Sequence, residues 1–243
     1  MQDGKYTYEE FLDIIKKLRG EGGCPWDREQ THVSLKPCMA EEAAEVAAGI
    51  RIFDQTGDCE NLVEELGDVL LQVVMHAQIG SEEKLFDMGD VIDGVARKMV
   101  RRHPHVFGEV KVDGSAQVLD NWEDIKKKEK EGRSTMEEPL REIPAELPAL
   151  TRALKVLKKA DKLYEEQPGY TEAVRMLKEA AVGLEKLEPT DYDAQITRLV
   201  GDVLLSVTQI SRICRLSQEQ ILTDRTEDLI DGWEPRINIH KKP

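Results

Sequence analysis

The chain has 243 residues, enough for one large domain or two small ones, and its 40% hydrophobic and 34% charged composition describes a globular protein with many solvated helix faces. A formal net charge of −14 makes it a poor general binder of nucleic acid, which needs a basic footprint. The four cysteines form no CxxC pair, no apolar run reaches bilayer length and the N-terminus lacks a signal-peptide core, so the expectation is a cytoplasmic protein with no zinc site, disulfide framework or membrane contact.

Alternating strand patterns are scarce and helical periodicity dominates, which predicts an all-α fold. Thr7 and Glu10 read as a capping box opening a helix with Phe11, Ile14, Ile15 and Leu18 on one side. Gly20, Gly22, Gly23 and Pro25 end it and begin a loop through His32. A second helix is predicted over 37–53, with the stripe Met39, Ala43, Val46, Ala47, Ile50. A third is predicted over 59–79, with Leu62, Leu66, Val69, Leu70 and Val73. Asp87 is the expected N-cap of a fourth, whose stripe is Met88, Val91, Ile92, Val95, Met99 and which Pro104 stops. Residues 108–120 read as a loop and 121–130 as a short charged helix.

The second half repeats the first. Residues 201–207 match residues 67–73 at six of seven positions, and an upstream helix is predicted over 173–187. A Gly-Asp pair inside an apolar helix is unusual enough to favour duplication over chance. The proline-rich stretch between the halves predicts domains at 1–133 and 147–243, joined by a linker at 134–146.

Two acidic motifs carry the chemistry. Glu41-Glu42-Ala43-Ala44-Glu45 and Glu64-Glu65-Leu66-Gly67-Asp68 sit in the same helical phase relative to their apolar stripes. A helix advances about 100° per residue, so Glu42 and Glu45 form one pair at a stripe margin and Glu65 and Asp68 another, with Glu41 and Glu64 turned toward solvent. If the stripes pack together, four carboxylates converge, and such a group repels itself unless a cation enters. All-oxygen ligands favour Mg²⁺, with Mn²⁺ as a substitute, over zinc. A di-iron bundle would need Glu-x-x-His, and no histidine stands at i+3 from Glu42 or Glu65. Solvated surface acids are the ordinary alternative; two motifs in equal phase weigh against it.

Lys98 and Arg102, spaced i, i+4, fall beside the fourth stripe while Arg101 points away. Cations in that position meet either the acidic cluster or substrate phosphates. Trp26 and Trp122 stack on a base or, more commonly for a lone tryptophan, pack. His103 and His105 buttress the helix end. The run Lys126 to Lys130 is expected to be a solvated face, with Lys126 able to reach an anion.

These residues resemble the MazG family of nucleoside triphosphate pyrophosphohydrolases. The resemblance is carried by Glu42-x-x-Glu45, Glu65-x-x-Asp68, Gly23-Cys24-Pro25-Trp26-Asp27 with Gln30-Thr31, Lys98-x-x-Arg101-Arg102-His103-Pro104-His105-Val106-Phe107, and Asn121-Trp122-Glu123-x-x-Lys126. It implies tandem helical bundles of the all-α NTP pyrophosphatase type and Mg²⁺-dependent cleavage of NTP or dNTP to a monophosphate and pyrophosphate. It assigns the metal to Glu42, Glu45, Glu65 and Asp68; the base for the attacking water is not set by the resemblance, and Glu41 and Glu45 are the candidates among the acids. Substrate contacts would come from Lys98, Arg101, Arg102, Trp122 and Lys126. A homodimer and a role in nucleotide pool sanitation are also implied. The second domain departs from the pattern: Leu199 stands where Glu65 does and Val182 where Glu45 does, leaving Glu179 and Asp202, so it is expected to be degenerate. The alternative is a nucleotide-binding regulator with weak turnover.

Overall fold

The computed structural model describes residues 4–131, 138–164, 168–188 and 193–240, with backbone only at 127, 130–131 and 234–240. The described residues are helical with no strand. The chain forms two compact units, residues 1–129 and 130–243.

The first unit contains α1 (Tyr8–Arg19), α2 (Pro25–Glu29), α3 (Lys36–Thr56), α4 (Glu60–Glu82), α5 (Met88–Arg102), α6 (Pro104–Phe107) and α7 (Ser115–Glu131). The predicted capping box is present: the Glu10 N–H donates to Thr7 Oγ1 at 3.2 Å and the Thr7 N–H to Glu10 Oε2 at 2.7 Å. Asp87 and Asp90 cap α5 in the same reciprocal way. Gly57 closes α3 in the left-handed region at φ 75°, where a side chain would be strained. Three expectations shift. The expected loop at 20–32 contains α2. The helix after the 108–120 loop starts at Ser115, six residues earlier than Asn121. The segment expected as linker is structured over its described residues: a 3-10 turn over Pro139–Glu142 is held by Lys159 of the next helix, and Ile143 is buried. Residues 134–137 of that segment lie outside the described residues.

The core is Ile15, Leu35, Val74, Met75 and Ile79, with Phe11, Leu12, Leu71 and Met88 against it. It sits where α1, the entry to α3, the C-terminal half of α4 and the start of α5 meet. The apolar stripes are therefore only partly covered. Ile50 and Leu66, predicted to be core, are 53% and 51% exposed, and Phe53, Val63 and Leu70 join them on the surface of the α3–α4 pair. Arg19 explains how the 24–30 segment is held. Its side chain, 5% exposed, binds Glu82 at 2.8 Å and donates to the carbonyls of Asp27 and Gln30.

His32 ties the entry of α3 to α4. Its Nδ1 lies 2.8 Å from His76 Nδ1, with ring planes 5° apart and centroids 5.0 Å apart. That separation is what two imidazoles meeting edge to edge in one plane require, so the contact is an N–H···N hydrogen bond and not a face-to-face stack.

The second unit contains the 3-10 turn, α8 (Ala149–Tyr164), α9 (Tyr170–Glu185), α10 (Ala194–Ile213) and α11 (Gln218–His240). Its central helix buries Ser206, Thr208, Gln209 and Ser211 while Leu204 and Leu205 are exposed. The three hydroxyls donate to carbonyls one turn back, at 2.7, 2.8 and 2.9 Å, and Gln209 Nε2 donates to the Pro168 carbonyl at 2.9 Å. Each buried polar group thus has a partner, which is what makes a polar helix face tolerable inside.

Candidate active site

The two acidic motifs fall on α3 and α4, and a glycine sets how closely these helices approach. A Cβ on Gly49 would lie 3.1 Å from Asn61 Oδ1 and 3.1 Å from Leu62 Cα, so the pair comes together here because no side chain intervenes. One turn from Gly49 and Asn61 stand Glu45 and Glu65. Carboxylate oxygens of Glu42, Glu45 and Glu65 lie within 4.8 Å of one another. Glu42 and Glu65 are half-buried and Glu45 is exposed. Asp68, half-buried one turn along α4, borders this trio without belonging to it. Glu41 and Glu64 face solvent, as their phase predicts.

Glu65 registers the crowding. Partial burial raises its pKa first, and the charge of Glu45 adds to that. Asn61 works the other way, donating from Nδ2 to Glu65 Oε1 at 2.9 Å, which favours the anion and fixes the carboxylate's orientation. Three oxygen donors held this close fit a hard divalent cation, whose charge would reverse the repulsion.

The basic residues of α5 are committed differently from expectation. Sequence leaves the anion facing Arg102 open between the acidic cluster and a substrate. The structure places Glu129 of α7 there. Arg102 Nη2 is 2.6 Å from Glu129 Oε2 and its Nε 3.3 Å from Oε1. Arg101, expected to point away, donates from Nε to Glu129 Oε1 at 2.7 Å. Two guanidinium groups hold the Glu129 carboxyl down at a pKa of about 2. Its side chain is 18% exposed, so the lysine-rich run is not simply a solvated face, although Lys126 and Lys128 are exposed. Lys127 and Lys130 have side chains outside the described residues.

The Arg102 guanidinium also lies over Trp122, 5.1 Å from the ring centroid. His103 meets the same indole edge-on at 5.0 Å, and its Nδ1–H donates to the Met99 carbonyl at 2.6 Å, the buttress its position suggests. Trp122 packs; Trp26, expected to pack, is exposed. Lys98 is half-buried on α5. Gly49, Asn61 and Glu129 are the site residues that motif reading misses. Asn61 stands at i−4 from Glu65, and Glu129 at i+7 from Trp122, so helical phase was the available signal.

Comparison with known proteins bears on this arrangement. The family described as the MazG nucleotide pyrophosphohydrolase domain matches residues 30–107, the stretch carrying both acidic motifs and the basic end of α5. A Thermotoga maritima protein named nucleoside triphosphate pyrophosphohydrolase/pyrophosphatase MazG is 36% identical over 245 residues, covering 100% of this chain and 90% of its own. This chain belongs to the MazG family. An Escherichia coli (strain K12) member named nucleoside triphosphate pyrophosphohydrolase is 36% identical, over 84% of this chain and 77% of its own. The Bacillus subtilis protein YabN is 51% identical over 162 residues; the match spans 65% of this chain and only 32% of YabN. The MazG relationship supports the all-α architecture and the hydrolase class read from the sequence.

Proposed function

We propose that this chain is a Mg²⁺-dependent nucleoside triphosphate pyrophosphohydrolase that cleaves NTP or dNTP between the α and β phosphates, releasing a monophosphate and pyrophosphate, with its active site in the first unit. The observation that carries the reading is the trio Glu42, Glu45 and Glu65 within 4.8 Å, in a chain whose full length aligns with a relative named for this activity.

Glu42, Glu45, Glu65 and Asp68 hold the cation. A bound divalent ion supplies charge neutralisation on phosphate oxygens and a lowered pKa for water. Asn61 keeps the Glu65 carboxylate turned into the cluster. Glu41 and Glu45, the exposed acids, are the candidates to take a proton from the attacking water. Lys98, Arg101, Arg102, Trp122 and Lys126 form the substrate wall, with cations against phosphates and the indole backing the Arg102 guanidinium. The exposed apolar side chains Ile50 and Phe53 of α3 and Val63, Leu66 and Leu70 of α4 support a homodimer through this helix pair, since large exposed apolar side chains favour an interaction site. The reading places the protein in the cytoplasm, with a role in nucleotide pool sanitation; among the described residues no helix is long and apolar enough to cross a membrane.

The test is a panel of canonical, deoxy and damaged triphosphates with Mg²⁺, scored for pyrophosphate against orthophosphate. Pyrophosphate release lost in Glu42→Gln with helicity intact supports the reading. Equal turnover by that variant, or orthophosphate as the product, overturns it.

A further inference from the structure

Glu129 belongs to no motif used above, yet two arginines converge on its carboxylate. It accepts from Arg101 Nε at 2.7 Å, and from Arg102 Nη2 at 2.6 Å and Nε at 3.3 Å. The Arg102 side chain is only 15% exposed, with Trp122 against its face at 5.1 Å. A guanidinium is a planar fork with donors along distinct edges. Here the Nε–Nη2 edge is taken by Glu129 and the face by Trp122. Among the described residues, the donors these contacts leave over are the two N–H groups of Nη1 and the outer N–H of Nη2, and the two contacts fix where that end of the fork points. Trp122, Lys126 and Glu129 recur at i, i+4 and i+7, so α7 brings the aromatic face and the carboxylate to Arg102 from one side of a single helix.

We propose that Glu129 is a positioning residue: it clamps Arg102 against Trp122 so that the Nη1–Nη2 end of the guanidinium is already oriented for a triphosphate's phosphate oxygens before substrate arrives. The proposal rests on the functional reading above and extends it to a residue that touches no substrate. Glu129 engages the Nε–Nη2 edge and leaves the end of the fork to the phosphates, so it acts as a brace and does not compete with them. The gain is preorganisation: an arginine held by a carboxylate and a ring gives up less side-chain freedom on binding than one waving in solvent.

The experiment compares wild type, Glu129→Gln, Arg102→Lys and the double variant in steady-state hydrolysis with Mg²⁺. Thermal melting and binding of a non-hydrolysable triphosphate analogue are measured on the same four proteins. Glu129→Gln keeps the shape and removes the charge. The expected result is a KM, and an analogue Kd, raised about tenfold with kcat within about twofold, because a charge-assisted brace is lost while the acidic cluster is untouched. The double variant should be no worse than Arg102→Lys alone, since both changes break one unit. A purely structural Glu129 would lower the melting temperature and the active fraction without moving KM or Kd, and that outcome overturns the proposal. So does strict additivity in the double variant. If wild type binds the analogue without hydrolysing any triphosphate, the enzymatic reading fails while the Kd series still judges Glu129. If wild type neither binds nor hydrolyses, both fall.

Discussion

In the α3–α4 pair, Glu42, Glu45 and Glu65 crowd within 4.8 Å of one another. In the α9–α10 pair, Glu179 is bound by Arg175, and Asp202 faces Arg198 at 3.9 Å, each arginine coming from the acid's own helix at i, i+4. Leu199, aligned with Glu65, packs its side chain over Gly183, 3.0 Å from where a Cβ would stand. One helix pair concentrates negative charge across its interface. The other keeps its acids on the outside, neutralises each locally and closes the interface with an apolar side chain. The difference teaches that the chemistry resides in what faces across the pair and not in the acids as such. An acid with an arginine one turn away is at home in water; three acids within 4.8 Å of one another repel unless a cation or a proton enters.

The largest expected effect tests that contrast directly. Glu42→Gln or Glu65→Gln should lower pyrophosphate release by about a hundredfold or more, on the scale of removing one preorganised electrostatic contact at a reacting group. Glu179→Gln and Asp202→Asn should leave it unchanged; a comparable loss in the second unit would break the comparison. Next is the spacing of the helices. Gly49→Val forces a branched side chain against the Leu62 backbone and should cost about 2 kcal/mol in denaturant unfolding, with activity falling alongside. A variant as stable as wild type would show that the close approach is dispensable. Third, Mg²⁺ should raise the melting temperature of wild type by a few degrees through mass action, and of Glu65→Gln much less. Insensitivity of wild type to Mg²⁺ would remove the cation from the account.

The smallest effects are in pH. The Glu65 pKa is raised, so the folded state holds its proton more tightly than the unfolded chain does. Its contribution is fully present below the unfolded pKa and is lost as pH rises through the folded value. Without divalent ions, the melting temperature of wild type relative to Glu65→Gln should therefore fall as pH rises from about 4 to about 7. Glu129 has the opposite sign. Its carboxyl is held down at about 2, so its contribution is present above the ordinary carboxylate range and disappears as pH falls toward that value. Wild type relative to Glu129→Gln should lose stability on acidification. Parallel slopes in the two comparisons would contradict the assignment of one acid to a carboxylate cluster and the other to an arginine pair.

Much of the fold could be read from local pattern. The capping boxes at Thr7 and Asp87, the end of α5 at Pro104 and the common phase of the two acidic motifs all depend on neighbours within one turn. What pattern could not supply was which part of each stripe the fold covers. Leu66 and Val74 look alike in sequence, but only Val74 meets α1 and the entry to α3, so one is exposed and the other is core. The same holds in the site. Periodicity put Glu42, Glu45, Glu65 and Asp68 on facing margins, of which the first three cluster, whereas the partner of Arg102 depended on where α7 lands, a tertiary fact hidden in a run of lysines. Arg101 was misjudged for that reason: its outward phase is real, and Glu129 comes out to meet it.

The imidazole pair at the entry to α3 has a consequence of its own. A single hydrogen serves both rings, so the joint exists only while the two together carry fewer than their full complement of protons. Burial, and then the neighbouring His32, depress the His76 pKa, and acidification below the ordinary histidine range weakens the native state relative to the unfolded chain. The strap it fastens leads directly into the helix bearing Glu42 and Glu45. Mild acid would thus loosen the entry to the helix that carries two of the three clustered carboxylates.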